Sequence, residues 1–271
     1  MLEKLKIKNA LLREALAEFA GTLVLVLMGN GVLASLTFDK AGVASYGAAC
    51  WGWGLALTLS VLVAGGVSGA HLNPAVTVAA ASVGKFSWRK VVPYMVAQYL
   101  GALTASALLF LTYLDALNHF DNGARTITGA TGTAGVFASY PKEFVSTAVG
   151  FFDQVLGTGL LMLAILAITD RRNMAVAPGL QPFLIGLALT AIALCFGYNC
   201  GAPLNPARDL SPRIFTAMAG WGSEVFSFRG YNWFWVPIVG PHIGAILGAW
   251  LYTIAVELHW PSADSGDHGP F

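Results

Sequence analysis

Charge is what this sequence has least of. Lys, Arg, Asp and Glu make up 11% of its 271 residues, under half of the roughly 25% found in a typical soluble domain. With 56% of its residues hydrophobic, the chain would precipitate in water, so lipid is the expected solvent. The formal net charge of +1 gives no electrostatic footprint for nucleic acid or for an acidic partner. Three cysteines (Cys50, Cys195 and Cys200) are too few for a disulfide framework. The histidines are scattered, and no Cys-His or carboxylate pair has a usable spacing. There is no loop to cradle phosphate either, so no enzyme and no bound cofactor are expected. No Asn-x-Ser/Thr sequon occurs, which excludes ordinary N-glycosylation.

What is present is apolar length. A bilayer-spanning helix needs about 20 mostly apolar residues, and six stretches qualify: Ala15–Leu36, Tyr46–Gly65, Val91–Leu114, Val145–Thr169, Gly179–Phe196 and Phe234–Leu258. The basic start followed by an apolar run without a small-residue cleavage site reads as a retained first span. Two further stretches, Val67–Gly84 and Ala202–Gly220, are too short and broken to cross and read as re-entrant half-helices. Lys4, Lys6, Lys8, Arg13, Lys85, Arg89, Lys90, Arg171 and Arg172 fall on one side, against Lys40, Arg125, Lys142 and Arg229 on the other. The positive-inside rule then makes both termini cytoplasmic. Trp88, Tyr231, Trp233 and Trp235 fall at the expected interfaces, as in an aromatic belt.

The chain repeats itself. Gly69-Ala70-His71-Leu72-Asn73-Pro74-Ala75 recurs as Gly201-Ala202-Pro203-Leu204-Asn205-Pro206-Ala207. Each half has three spans, so the copies enter the membrane from opposite faces. The whole reads as one channel domain over residues 1–271. Its inverted halves cover about 10–114 and 145–258, with an outer loop over 115–144 and a short cytoplasmic tail over 259–271.

Asn is a favoured N-cap and Pro a favoured first helical residue. Asn73 and Asn205 therefore start helices, each side-chain carbonyl taking backbone N–H groups and each NH₂ left to donate into the lumen. Two positive helix ends meeting near the midplane orient a water or hydroxyl oxygen and repel cations. The irregular backbone before them, Val67–Leu72 and Cys195–Leu204, is expected to present carbonyls to a pore. Glu18 and Gln154, at matched places in the first span of each half, are expected to bind the N–H groups of these loops.

Together, Ser68 to Val76 and Asn205-Pro206-Ala207-Arg208 resemble the signatures of the aquaporin family. The resemblance runs from about Glu14 to His259. It implies an all-α membrane protein of six spanning helices and two re-entrant half-helices, assembled as a homotetramer with one pore per subunit. Asp209-Leu210-Ser211-Pro212-Arg213, Ala219-Gly220-Trp221-Gly222, Phe151-Phe152-Asp153-Gln154 and Pro237-Ile238 are similar to the animal aquaglyceroporin branch. That branch implies passage of glycerol, water and small uncharged solutes such as urea through a plasma-membrane channel, with strict water selectivity as the alternative.

By the same resemblance, Trp53, Ala193, Ala202 and Arg208 form the selectivity constriction, and Asp209 braces the loop. Ala202 stands where many glycerol channels carry a second aromatic. That leaves a wide constriction unless Tyr198 or another side chain fills it. Two residues invite regulation or chemistry. His71 in the first loop can titrate near neutral pH; it is either a gate sensing cytoplasmic pH or a fixed structural histidine. Cys200 lies on the approach to the constriction, either a mercury site or a buried inert thiol.

Overall fold

The computed structural model describes residues 6–39 and 45–261. Lys4, Lys40 and the tail beyond residue 261 lie outside the described residues. Polar caps start three of the long helices. Asn9, Ser45 and Ser146 accept the backbone N–H groups of Leu12, Ala48 and Val149 at 3.1, 3.1 and 3.2 Å, satisfying donors that a helix start leaves open.

The helices are α1 (Ala10–Phe38), α2 (Tyr46–Ser68), α3 (Pro74–Ser82), α4 (Trp88–Thr112), α5 (Leu114–Asp121), α6 (Thr147–Thr169), α7 (Gln181–Phe196), α8 (Pro206–Thr216), α9 (Glu224–Ser227) and α10 (Val236–Ala255). Among the described residues, α1, α2, α4, α6 and α10 are long and apolar enough to cross a membrane by themselves. The sixth span, α7, has 16 residues, or roughly 24 Å at 1.5 Å per residue. It is extended at its start by a turn in which Leu180 and Gln181 donate to the Ala177 carbonyl. Six spans and two half-helices, α3 and α8, make the fold.

The packing follows the repeat. α1 lies between α2 and α4, and α6 between α7 and α10, while α2 and α7 cross at the centre. The half-helices are exchanged: α3 packs chiefly on α10 and α8 on α4. At the central crossing, a Cβ on Gly54 would meet the Gly186 carbonyl, and one on Gly186 would meet the Gly54 carbonyl. Only glycine lets those two backbones approach so closely. Ion pairs from Lys90 to Glu14 (2.8 Å) and from Lys85 to Glu257 (2.5 Å) place the starts of α1 and α4 and the end of α10 on one face. That face is called here the terminal face.

Some boundaries differ from the sequence reading. Val67, Ser68, Cys195 and Phe196 are still helical, so the irregular pore backbone narrows to residues 69–72 and 197–204. The outer loop expected over 115–144 contains most of α5, whose buried Leu117 joins a core with Phe137, Trp221 and Val225. Trp233 is no belt residue. It is fully buried and its indole donates to the Ser139 carbonyl at 2.9 Å, which satisfies the polar edge that a belt would leave to headgroups. Trp88 and Tyr231 are exposed at 60% and 62%, as an interfacial position requires.

Candidate functional site: a channel between two opposed helix starts

The repeated Gly-Ala-x-Leu stretch folds the same way twice. Gly69, Ala70 and Leu72 take φ of 84°, 52° and 55°, and Gly201, Ala202 and Leu204 take 79°, 50° and 45°. For the four residues that carry a Cβ, this left-handed backbone costs of order 1–3 kcal/mol each. The offset comes from behind the loops. The Glu18 carboxylate accepts from the Ser68 hydroxyl (2.6 Å), the His71 and Leu72 amides (2.9 and 2.7 Å) and the Gln98 side chain (2.8 Å). In the second half, Gln154 Oε1 accepts from the Leu204 amide at 3.1 Å. With the amides turned away, the carbonyls of Gly69, Ala70, His71, Gly201, Ala202 and Pro203 have no protein donor among the described residues. These residues line the central cavity, where a solute hydroxyl can serve as the donor.

Asn73 Oδ1 caps α3 through the Ala75 amide at 2.9 Å, and Asn205 Oδ1 caps α8 through Ala207 and Arg208 at 3.0 and 3.3 Å. The side-chain NH₂ groups are not wholly free, contrary to expectation. Asn73 Nδ2 donates to the Leu204 carbonyl at 2.9 Å, and Asn205 Nδ2 donates to the Leu72 carbonyl at 2.8 Å. Each half thus pins the loop of the other. One hydrogen of each amide remains for the lumen. Pro74 and Pro206 occupy first helical positions. Ala75 and Ala207 are fully buried, Ala75 against Met162 and Ala249, Ala207 against Val26 and Ala105.

A cavity of about 270 Å³ runs from Tyr140 and Gly135 past both asparagines to Ile165 and Thr169. Trp53, Ala193, Ala202 and Arg208 all line it, as do His71 and Cys200. The Arg208 guanidinium lies 4.6 Å from the Trp53 ring centroid, and its Nη1 donates to the Phe137 carbonyl at 3.1 Å. Trp51, two residues from Trp53, is instead exposed on the outside of the helix. Tyr198 does not fill the gap left by Ala202. It is 67% exposed, beside Phe144 and under Lys142. Tyr46, whose hydroxyl donates to the Ala193 carbonyl at 3.0 Å, and Tyr140 line the cavity in its stead.

Glu18, Gln154 and Asp209 are fully buried and do not line the cavity. Asp209 accepts from the Ser139 amide and hydroxyl at 2.7 and 2.5 Å and pairs with Arg213 at 2.8 Å. His71 packs edge-on against Phe86, with Nδ1 3.2 Å from the Thr77 hydroxyl and its ring 5.3 Å from Tyr94. The Cys200 thiol is 3.1 Å from Gln154 Nε2 and 3.4 Å from the Asp153 carboxylate. Sequence reasoning missed Gln98 and Asn30, and gave Asp153 no role beyond the resemblance it helps to carry. Each is a polar residue buried inside a spanning helix, and that placement was the available signal.

The comparisons agree with this geometry. The X-ray structure of the aquaglyceroporin from Plasmodium falciparum matches with a TM-score of 0.82 at 31% identity, covering 92% of this chain and 98% of that one. Aquaporin-10 of Homo sapiens is 46% identical over 257 residues, or 95% of this chain and 85% of the relative. Aquaporin-10 of Milnesium tardigradum is 48% identical over 270 residues, and the chain spans 66% of that relative's length. The family model described as Major intrinsic protein matches residues 4–252, and this chain belongs to the Major intrinsic protein family.

Proposed function

We propose that the chain is a passive channel for glycerol, water and other small uncharged solutes such as urea, working as a homotetramer in the plasma membrane with both termini cytoplasmic. The observation that carries it is the mixed lining of the constriction. The Trp53 ring, Ala193 and Ala202 line the same stretch of cavity as unpaired loop carbonyls and Arg208, whose guanidinium lies 4.6 Å from the Trp53 centroid. A polyol is mixed in the same way, with C–H groups along one edge and hydroxyls along the other. The hydroxyls exchange water for protein partners as the solute passes, so the polar cost of entering the membrane is met along the way. Arg208 and the two opposed helix starts hold cations out. Nothing in this mechanism breaks a covalent bond or uses a cofactor.

A water-only channel is the competing reading. It is disfavoured by the alanines at 193 and 202, which supply neither the bulk nor the polar group that would turn a three-carbon solute away. The aquaglyceroporin named above supports the same choice. Stopped-flow swelling of proteoliposomes under water, glycerol and urea gradients separates the readings. Glycerol and water permeability well above protein-free liposomes is expected, and water permeability alone would establish the alternative.

Cys200 gives a second test. A mercurial added at the face opposite the terminal face is expected to reach its thiol through the cavity and to slow glycerol flux. Cys200→Ser should restore most of that flux. Full sensitivity in Cys200→Ser would transfer the effect to Cys50, which also lines the cavity.

A further inference from the structure

Two neighbouring residues of α1 stand behind the two walls of the constriction, and neither belongs to the repeated motifs. Gly29 carries the flat face of Trp53: a Cβ built there would run into the six-membered part of the indole ring. Asn30 is fully buried, and its Nδ2 donates to the Phe137 carbonyl at 3.2 Å. That carbonyl is the one that also accepts from Arg208 Nη1 at 3.1 Å. Among the described residues it is the protein acceptor of the Arg208 guanidinium. A carbonyl oxygen has two lone pairs, and here both are occupied, one by the residue that faces solute and one by the residue that holds the loop.

The remaining polar atom of Asn30 makes the arrangement unusual. Its Oδ1 is buried without a hydrogen-bond partner among the described residues, a placement that leaves its desolvation uncompensated. A residue kept only for packing would be apolar at such a position inside a span, because an isosteric aliphatic side chain removes that cost. The single bond Asn30 makes is therefore the feature to explain, and that bond fixes the anchor of Arg208.

We infer that Gly29 and Asn30 are positioning residues that set the aperture of the constriction, Gly29 by seating Trp53 back against α1 and Asn30 by holding the Phe137 carbonyl to which Arg208 is tied. Neither touches solute. They act in opposite senses when altered. Asn30→Val releases one of two donors from the carbonyl, so Arg208 and its anchor move together and the aperture loosens. Gly29→Ala pushes the Trp53 ring towards the lumen and narrows the aperture. This inference rests on the proposed glycerol pathway and adds the residues that set its width.

The test measures water, glycerol and erythritol permeability of wild type, Asn30→Val and Gly29→Ala in proteoliposomes, normalised to folded protein. Asn30→Val is expected to raise the erythritol-to-glycerol ratio at least threefold. Gly29→Ala is expected to lower the glycerol-to-water ratio at least threefold. A purely structural role would lower all fluxes together and leave both ratios unchanged, and that result overturns the inference. Should Asn30→Val fail to fold, Asn30→Ser is too short to reach the Phe137 carbonyl and should widen the ratio in the same direction. An unchanged ratio there overturns the Asn30 assignment equally. Wild-type protein that passes water but no glycerol would refute the proposed function, whereas wild-type glycerol flux with unmoved ratios refutes only this inference.

Discussion

Asn205→Asp is expected to cut glycerol flux at neutral pH at least tenfold while leaving a folded protein. The substitution is isosteric and keeps the oxygen that caps Ala207 and Arg208, so α8 still has its start. What changes is the other atom. In the native protein Nδ2 donates to the Leu72 carbonyl at 2.8 Å; in the variant a carboxylate oxygen faces that carbonyl, acceptor against acceptor. The first loop then loses its tie to the second half. Its strained Ala70 and Leu72 (φ 52° and 55°) keep only the Glu18 side of their support. A negative charge also enters the lumen where solute oxygens need a donor. Because a protonated carboxyl can donate again, flux should partly recover as the pH is lowered. Stopped-flow measurement at pH 7.5 and at pH 4.5 reads both effects. Wild-type flux at both pH values would mean that these amides do not govern passage.

The contrast between that pair of asparagines and the rest of the site shows what the sequence could express. Asn-Pro before an apolar run has a dedicated chemistry, cap then fixed φ, so the helix starts and their inverted pairing were legible from residues alone. The same holds for the spans, whose length is set by the bilayer. The loops between were legible only in outline. Glycine at 69 and 201 announces a left-handed turn, and the Ala70 amide is held locally by the Ser68 hydroxyl. At Leu72 and Leu204, which also take positive φ, the amides are held by a carboxylate and an amide group some fifty residues away along the chain. The free amide hydrogens expected at Asn73 and Asn205 were half spent on carbonyls more than a hundred residues distant. Helix α5 was missed although Leu114, Leu117 and Phe120 stand at helical spacing; its length of eight residues is short, and Leu117 packs against Phe137 and Val225. Tyr198 and Trp233 exchanged their expected places, one outward and one inward, because a loop's path decides where an aromatic residue points.

The second large effect is expected at Arg213, which the sequence presents as an unexplained charge within the second half-helix. Its side chain is completely buried, and so is that of Asp209 one turn earlier. Nε and Nη2 reach Asp209 Oδ1 at 3.1 and 2.8 Å, Nη1 reaches the Val225 carbonyl at 2.9 Å, and Nη2 reaches the Ser139 carbonyl at 2.7 Å. Asp209 in turn holds the Ser139 amide and hydroxyl, and the guanidinium covers the Tyr140 ring at 4.7 Å. One ion pair thus fastens the loop that lines the mouth of the cavity. Arg213→Met leaves the Asp209 carboxylate buried and unpaired, a loss of about 3–5 kcal/mol for such a pair. Arg213→Lys should fare little better, since a single ammonium cannot span three acceptors set in a planar fork. Adding Asp209→Asn to Arg213→Met removes the stranded charge while keeping a partner for Ser139. Most of the stability is then expected to return, but the loop carbonyls stay unheld and the glycerol-to-water ratio should not return with it. Thermal unfolding in detergent, read beside proteoliposome flux, separates the two consequences. Arg213→Met melting with the wild type would show that the buried pair does not hold this loop, and a double variant no more stable than Arg213→Met would show that the cost lies in lost packing and not in the uncompensated carboxylate.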